Sequence, residues 1–261
     1  MINSAQAAKG YQQASATMQR SWGRKLIENV QPRLGNVILD LGCGTGELSA
    51  HLAELVGRDG KVVAVDPDTA RVQLAQKTHG GISNLAIQEG SASNFPGMGS
   101  QCYDVVFSNF VLHWIQDKHE AFKNSFQSLK PGGKILLSYE DSLVSMFERF
   151  FKELVPENCN TILSKWHFIE KAKIEEMCAA VGFDIVKSYD VKSDAFVFDN
   201  EEEMISFFWA DSHGLFDRKL IRKDRLASFC TRYTSGENSS PFKLFPGEGD
   251  HYCVLVAAKP V

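Results

Sequence analysis

The sequence predicts an α/β fold in which helices cover both faces of a mostly parallel sheet. Residues 37–39 are apolar and lead through Asp40 into a glycine-rich turn, and residues 61–65 form a second apolar run that ends at Asp66. Continuous apolar runs of this length are typical of strands that are buried on both faces. Segments of helical period separate the runs, and strands that alternate with helices favour a parallel sheet.

The composition is that of a globular protein with a sizeable core. The chain has 261 residues, of which 44% are hydrophobic and 23% charged, enough for one large domain or for a domain with a cap. The formal net charge of −4 argues against a nucleic-acid partner, because such proteins usually carry a basic face. The basic residues between Arg218 and Arg225 are interpreted as a solvated helix face.

Cysteine use and hydropathy suggest a location. None of the six cysteines has a CxxC or metal-ligand spacing, so neither disulfides nor a metal site is expected. Cys43 is interpreted as a small apolar filler in the glycine turn. The first thirty residues lack the apolar core of a signal peptide, and the chain contains no apolar run of about 18 residues. We therefore expect a cytoplasmic protein without a membrane partner.

The first half of the chain alternates strands and helices. Residues 3–30 are predicted to be helical, because Tyr11, Trp22 and Leu26 are among apolar residues at helical spacing. Pro67 is expected to open a helix, since its fixed φ suits the first turn. The predicted strands are residues 37–41, 61–66, 84–88, 103–109 and 134–139, and the predicted helices are residues 46–56, 67–78 and 117–129.

The second half departs from this alternation. Residues 142–168 are rich in aromatic side chains and are predicted to form a helical insertion, and a second aromatic insertion spans residues 193–248. Between them, a helix at residues 170–180 ends at Gly182, and a strand follows at residues 183–191. A last strand is predicted at residues 252–258. The aromatic residues suit either an apolar substrate or the core of the insertions themselves.

The glycine turn points to a nucleoside ligand. Gly42, Gly44 and Gly46 follow Asp40 as G-x-G-x-G, and glycine lets the backbone turn sharply and approach a ligand. The pattern lacks the lysine of a nucleotide-triphosphate loop and differs from the dinucleotide fingerprint G-x-G-x-x-G. Asp66 ends the second strand, where an acid commonly accepts the ribose hydroxyls. The two acids suit a ligand with a cationic amino-acid end and a nucleoside end.

Four sequence blocks together resemble the class I S-adenosylmethionine-dependent methyltransferases. They occur in family order between residues 35 and 140, and they are Asp40–Gly46, Asp66, Tyr103–Asn109 and Leu129–Lys134. The resemblance implies S-adenosyl-L-methionine as cofactor and a Rossmann-like sheet of seven strands, the last antiparallel. It also implies a single domain. An N-terminal lid helix lies in residues 1–34 of this domain, and the cofactor-binding half spans residues 35–140. The lid insertions are residues 141–170 and 193–248, and the closing helix and edge strands are residues 171–192 and 249–261.

The resemblance also implies the residues that hold the cofactor. The methionine end contacts Asp40, Gly42, Cys43, Gly44 and Gly46. Asp66 holds the ribose, and the adenine is bordered by Pro67, Ser91 and Ala92. The sulfonium lies beside Asn109 and Phe110. Ser91 departs from the family pattern, which often has an acid there that bonds the adenine amino group. We expect that contact to carry less charge here.

The run Leu112–Gln116 resembles the same place in juvenile hormone acid methyltransferases and, more loosely, in trans-aconitate and malonyl-carrier-protein methyltransferases. These enzymes esterify carboxylates of small molecules, and the resemblance implies that Gln19 and Trp114 hold the acceptor carboxylate. Tyr11 and Gln19-Arg20 carry the N-terminal similarity. His113 is either a general base or a hydrogen-bonded wall residue. The expected partner is a small-molecule methyl acceptor, and the chain is expected to be a monomer or dimer.

Two alternatives stay open at the level of sequence. The first is N-methylation of a small amine, because aromatic faces hold cations and His113 is then the base that removes the proton. The second is an inactive partner subunit that binds the cofactor without turnover. The intact glycine turn favours cofactor binding in either case.

Overall fold

The computed structural model describes residues 22–236 and 242–261, and these fall into two compact units. The sheet unit contains residues 22–141, 167–191 and 252–261. The insertion unit contains residues 142–166, 192–236 and 242–251. Tyr11, Gln19 and Arg20 lie outside the described residues, as does most of the predicted N-terminal helix, of which residues 22–27 are helical.

Nine strands are present in the described residues: β1 (Val37–Leu41), β2 (Lys61–Asp66), β3 (Leu85–Glu89), β4 (Tyr103–Asn109), β5 (Leu129–Tyr139), β6 (Asp184–Lys192), β7 (Phe196–Phe198), β8 (Phe242–Leu244) and β9 (His251–Ala258). Seven of them form one sheet in the order β3-β2-β1-β4-β5-β9-β6, and β7 pairs with β8. The pairings from β3 to β5 are parallel, whereas β9 runs antiparallel to β5. The predicted fold class is confirmed.

Eight α-helices follow β1 in the described residues: α1 (Glu47–Val56), α2 (Thr69–His79), α3 (Lys118–Ser128), α4 (Ser145–Leu154), α5 (Pro156–Leu163), α6 (Lys171–Val181), α7 (Glu201–Asp211) and α8 (Lys223–Tyr233). None of the helices described is long and apolar enough to cross a membrane. The helix after β2 begins later than predicted. The Asp68 carboxylate accepts hydrogen bonds from the amides of Ala70 and Arg71 at 2.9 and 3.2 Å, so Asp68 is the N-cap and Pro67 precedes the helix.

The central strands are apolar on both faces of the sheet. Leu39 and Val106 belong to one buried cluster, and their strand neighbours Ile38 and Val105 belong to the cluster on the opposite face, because successive side chains in a strand alternate. The parallel register brings the carboxyl ends of β1, β2 and β4 to one edge of the sheet. Ligands of open α/β sheets bind beyond that edge.

The insertion unit has an aromatic core of its own. The rings of Phe150 and Phe208 stack at 4.0 Å with an interplanar angle of 13°, and Phe147 meets Phe208 edge-on at 5.1 Å. All three are buried, as are Phe151 and Phe229. These rings pack against one another and account for much of the aromatic content of the insertions. The aromatic content alone therefore does not indicate an apolar substrate.

Candidate functional site

The turn between β1 and α1 is built for close approach. Gly42, Gly44 and Gly46 have φ values of 76°, 55° and 86°, a region that favours glycine. A Cβ atom on Gly42 would lie 2.3 Å from a methyl carbon of Val111, so this position excludes a side chain. The amides of Gly42 and Cys43 both donate to the carbonyl of Val65, at 2.8 and 3.0 Å, which ties the turn to β2.

Helix α1 starts directly from this turn. Gly46 is its N-cap, and no side chain caps the first amides. The first amides of a helix have no partner within the helix, and the helix dipole adds partial positive charge there. The end of α1 at the turn therefore suits a carboxylate, such as that of an amino acid.

Asp66 is held by two backbone amides. Its carboxylate accepts from Gly44 at 2.9 Å and, through the other oxygen, from Asp68 at 2.9 Å, and the residue is 5% exposed. A carboxylate offers about four acceptor sites, so each oxygen keeps capacity for a ligand hydroxyl. The structure thus fixes Asp66 between the glycine turn and the start of α2.

Asp40 is a buried acid with one hydrogen-bond donor. The Ser49 hydroxyl donates to it at 2.6 Å, and the residue is 2% exposed. Burial raises the pKa of Asp40 to about 7, against the opposing effect of the Ser49 hydrogen bond and with a further contribution from the Asp66 charge. A cationic group bound nearby would favour the ionised form.

Cys43 lies between these acids. Burial raises the pKa of its thiol well above the usual range, and the charges of Asp40 and Asp66 add to the shift. The thiolate is the nucleophilic form of cysteine, so a neutral thiol supports the interpretation of Cys43 as a filler of the turn.

A cleft of about 260 Å³ opens beside the turn. Its lining brings together four predicted cofactor residues and one predicted acceptor residue, namely Gly42, Pro67, Ser91, Ala92 and Trp114. The wall provided by the chain after β4 also includes Val111, Ile115, Gln116, Asp117, Glu120 and Ala121. The indole of Trp114 therefore shares a cleft with the residues predicted to border the adenine.

Ser91 uses its hydroxyl within its own turn. The Ser91 hydroxyl accepts from the amide of Ser93 at 3.3 Å and lies 3.1 Å from the Ser93 hydroxyl. The backbone of Ser91 exchanges two hydrogen bonds with Asn94, at 2.8 and 3.0 Å. The adjacent Ala92 carbonyl accepts from the side-chain amide of Asn124 on α3, at 3.0 Å.

Phe110 has a strained backbone at the carboxyl end of β4. Its φ is 55°, a conformation that raises the free energy of a non-glycine residue by about 1–3 kcal/mol and often marks a functional site. Its amide donates to the Ser138 carbonyl at 2.9 Å, while the Ser138 hydroxyl donates to the Asn109 amide oxygen at 2.8 Å. The Phe110 ring contacts Trp22 and Tyr252, with centroids 5.7 and 5.2 Å away.

His113 is buried and uncharged. Burial, reinforced by the nearby Lys118 ammonium, lowers its pKa to about 3, and its Nδ1 has no hydrogen-bond partner among the residues described. Its ring packs between Trp114 and Phe168, each at 5.8 Å. A general base works best with a pKa near the working pH, so this geometry favours the wall role over the base role.

Lys118 was not singled out from the sequence. It is 3% exposed, and its ammonium donates to the carbonyls of Ile115 and His167 at 2.7 and 2.5 Å. Burial lowers its pKa to about 8. A lysine in the first turn of α3 opposes the helix dipole, and this mismatch is the signal in the sequence that could have revealed it. Lys118 ties the segment that carries Trp114 to residues 167–169.

Comparison with known proteins identifies the family. A family model described as a methyltransferase domain matches residues 33–182, more than half of the chain. The chain belongs to the class I S-adenosylmethionine-dependent methyltransferases. The match covers β1 to β5, the glycine turn and the segment that carries Trp114.

This methyltransferase has both sequence relatives and structural neighbours. It is 26% identical over 196 residues to the ubiquinone/menaquinone biosynthesis C-methyltransferase UbiE of Vibrio campbellii, over 68% of this chain and 75% of that protein. The chain is 32% identical to the UbiE of Proteus mirabilis. That match covers 45% of this chain and 48%, about half, of the relative's own length. A Bacillus halodurans protein assigned as a methyltransferase has a TM-score of 0.63 at 19% identity, across 92% of this chain and 100% of that one, which shows a shared fold.

The described residues of the methyltransferase fit its cofactor, S-adenosylmethionine. A turn with three glycines leads into the uncapped end of α1, and two buried carboxylates lie beside it at Asp40 and Asp66. These groups match the ammonium, the carboxylate and the ribose hydroxyls of the cofactor in chemistry. The apolar and amide-bearing cleft beside them suits a purine base.

Proposed function

We propose that this enzyme transfers the methyl group of S-adenosylmethionine to a carboxylate oxygen of a small, partly apolar molecule. The observation that carries the proposal is the state of His113, whose pKa of about 3 makes it a weak base. An acceptor that is already ionised needs no base, and a carboxylic acid with a pKa near 4 is ionised at pH 7. The resemblance of Leu112–Gln116 to carboxyl methyltransferases supports the same acceptor.

The proposed cofactor position follows the carboxyl edge of the sheet. The methionine end lies against Asp40 and the glycine turn, the ribose hydroxyls bind Asp66, and the adenine enters the cleft beside Ala92. Asn109 and Phe110 then lie next to the sulfonium, because Asn109 ends β4 at the same edge and Phe110 follows it. The hydrogen bond from Ser138 fixes the Asn109 amide and so favours a defined position for the methyl group.

The reaction is an in-line displacement at the methyl carbon. S-adenosylmethionine supplies the electrophilic methyl group, and the protein supplies position. A carboxylate oxygen forms the new C–O bond as the C–S bond breaks, and the products are a methyl ester and S-adenosylhomocysteine. We propose that Trp114 donates its indole N–H to the acceptor carboxylate. Gln19 stays a predicted second donor, outside the described residues.

Carbon methylation is the second candidate, because UbiE of Vibrio campbellii is a C-methyltransferase by name. A phenolic or quinol ring must lose a proton to react well at carbon, and His113 is poorly suited to take it. N-methylation of an amine has the same requirement whenever the amine is protonated. The labelled product distinguishes esterification from carbon methylation and from N-methylation. An inactive subunit would form no labelled product.

The test uses the full-length enzyme with methyl-labelled S-adenosylmethionine. Three acceptor pools are compared: small carboxylic acids, amines, and phenols with quinols. We expect label in the acid pool that mild base releases as methanol, which is diagnostic of a methyl ester. Base-stable label in the amine or phenol pool would instead establish N-, phenol O- or C-methylation and overturn the carboxylate proposal.

Trp114→Phe serves as a matched variant in the same assay. It keeps an aromatic ring in the cleft but removes the indole donor, so turnover should fall roughly 10- to 100-fold through loss of a hydrogen bond to a charged group. The affinity for S-adenosylhomocysteine should change less than threefold, as measured by calorimetry. Normal turnover in this variant would remove Trp114 from the acceptor site.

A further inference from the structure

One wall of the cleft offers little to an adenine amino group. That group is a hydrogen-bond donor and requires an acceptor. The wall formed by Pro67, Ser91, Ala92 and Ser93 contains no carboxylate. The Ser91 hydroxyl accepts the amide of Ser93 and the Ala92 carbonyl accepts from Asn124, so each of these neutral acceptors shares its capacity with a protein donor. A charged acceptor for the amino group must therefore come from elsewhere in the cleft.

The rest of the lining includes two carboxylates, Asp117 and Glu120. Asp117 caps α3, because its side chain accepts from the amide of Glu120 at 2.8 Å. The spacing from Asp117 to Glu120 is that of a capping box, in which the glutamate bonds back to the amide of the cap residue. The structure shows no such return bond at this helix, and within the described residues no hydrogen bond or ion pair engages the Glu120 carboxylate.

The helix places Glu120 on the correct face. Asn124 lies one turn further along α3, and residues four apart share a helix face. Since the Asn124 amide reaches the Ala92 carbonyl at 3.0 Å, Glu120 lies on the face that looks toward Ala92. Gln116 also lines the cleft but precedes the helix and is not on this face.

We propose that Glu120 accepts the hydrogen bond from the adenine amino group and selects adenine in the cofactor. This inference rests on the cofactor position proposed above. The carboxylate that binds the base thus comes from α3 and not from the turn that contains Ser91. Because the acceptor is charged, the bond is stronger than one to a hydroxyl.

The test measures binding of two ligands by calorimetry, with no turnover involved. One is S-adenosylhomocysteine, and the other is its deamino analogue, in which hydrogen replaces the 6-amino group of the purine. The wild-type enzyme should bind the first roughly tenfold more tightly, as expected for a hydrogen bond to a charged acceptor. In Glu120→Ala this ratio should fall below about twofold, through weaker binding of S-adenosylhomocysteine alone.

Ser91→Ala, Gln116→Ala and Asp117→Asn are the matched controls, and each should keep at least half of the wild-type ratio. Glu120 is exposed, so its variant should match the wild type in circular dichroism and melting temperature. An unchanged ratio in Glu120→Ala, or its loss in a control variant, overturns the proposal. Wild-type enzyme that binds neither ligand overturns the cofactor position as well. The carboxylate acceptor is tested separately by the labelled products.

Discussion

At the scale of single residues, Asp40 combines an energetic cost to the fold with a proposed role in cofactor binding. Its hydrogen bond to Ser49 only partly offsets burial, and its pKa of about 7 lies within the range of ordinary assays. The carboxylate is ionised above this pH and protonated below it. The proposed cofactor position brings an ammonium group to this turn, so binding should lower the pKa of Asp40 and release its proton.

We therefore predict that the affinity for S-adenosylhomocysteine rises as the pH increases from 6 to 8. Asp40→Asn should weaken binding by about 1–3 kcal/mol at pH 8, since a charged partner is lost, and should flatten the pH dependence. The pKa of Asp40 is about 7 in the folded state, above its ordinary value, so the folded state keeps a proton that the unfolded state loses near pH 4. The wild-type protein therefore loses stability as the pH rises from about 4 to about 7, and the full loss is present at pH 8. The same variant should accordingly melt higher at pH 8. Binding of the wild type that does not change between pH 6 and 8 would contradict this account.

Asp66 should contribute to binding more than its neighbour Asp68. Asp66→Ala should weaken S-adenosylhomocysteine binding by about 1–3 kcal/mol, because charged hydrogen bonds to the ribose are lost. Asp68→Ala is the control, since it removes the cap of α2 and should lower stability by about 1 kcal/mol. Calorimetry and thermal melting separate the two effects. Equal losses of affinity in both variants would mean that Asp66 acts only through the fold.

At the scale of elements, the side chain of Val111 in the loop after β4 fills the space that a side chain on Gly42 would need. Gly42→Ala should lose more than about 2 kcal/mol of stability, because it adds a clash with Val111 to the strain of a positive φ. Gly35→Ala measures the backbone strain alone, because Gly35 has a φ of 83° and open space around it. This variant should lose about 1 kcal/mol of stability. The double variant Gly42→Ala, Val111→Ala should recover part of the loss in denaturant unfolding.

Lys118 fixes the segment that carries Trp114. Lys118→Met should lower stability by about 1–3 kcal/mol, since the carbonyls of Ile115 and His167 lose their buried donor. The rate of turnover should fall while the affinity for S-adenosylhomocysteine stays within about threefold, because Trp114 loses its position. Lys118→Arg keeps a donor and should restore part of the rate. A Lys118→Met enzyme with wild-type turnover would show that this clamp is only structural.

At the scale of the whole molecule, the strands could be predicted well because each central strand is an apolar run bounded by turn residues. The start of α2 was placed too early at Pro67, since the hydrogen bonds of Asp68 compete with the proline signal. The strands β7 and β8 have three residues each and pair across a long stretch of chain, so no local period marks them. The predicted single-domain organisation with two lid insertions stays a prediction.

The residues of the candidate site also divide into those that the sequence could predict and those that it could not. The turn, Asp66 and the end of β4 follow from motif and topology, and the structure brings the turn, Pro67, Ala92 and Trp114 to one cleft. The protonation state of His113 depends on burial by residues distant in sequence, including Phe168, and no motif contains that information. The same holds for Lys118, whose partners include His167.

The position of β9 in the sheet affects folding during synthesis. Among the strands of the described residues, β6 has β9 as its one neighbour in the sheet, and β6 ends at Lys192 whereas β9 begins at His251. A ribosome therefore releases β6 well before its partner exists, and the strand waits with an unpaired edge while residues 193–250 are made. Unpaired strand edges promote aggregation in growing chains. Lys187 and Lys192 on β6 are exposed, and charge on a strand edge discourages pairing with another chain. We therefore expect both lysines to limit aggregation of β6 until β9 has been made.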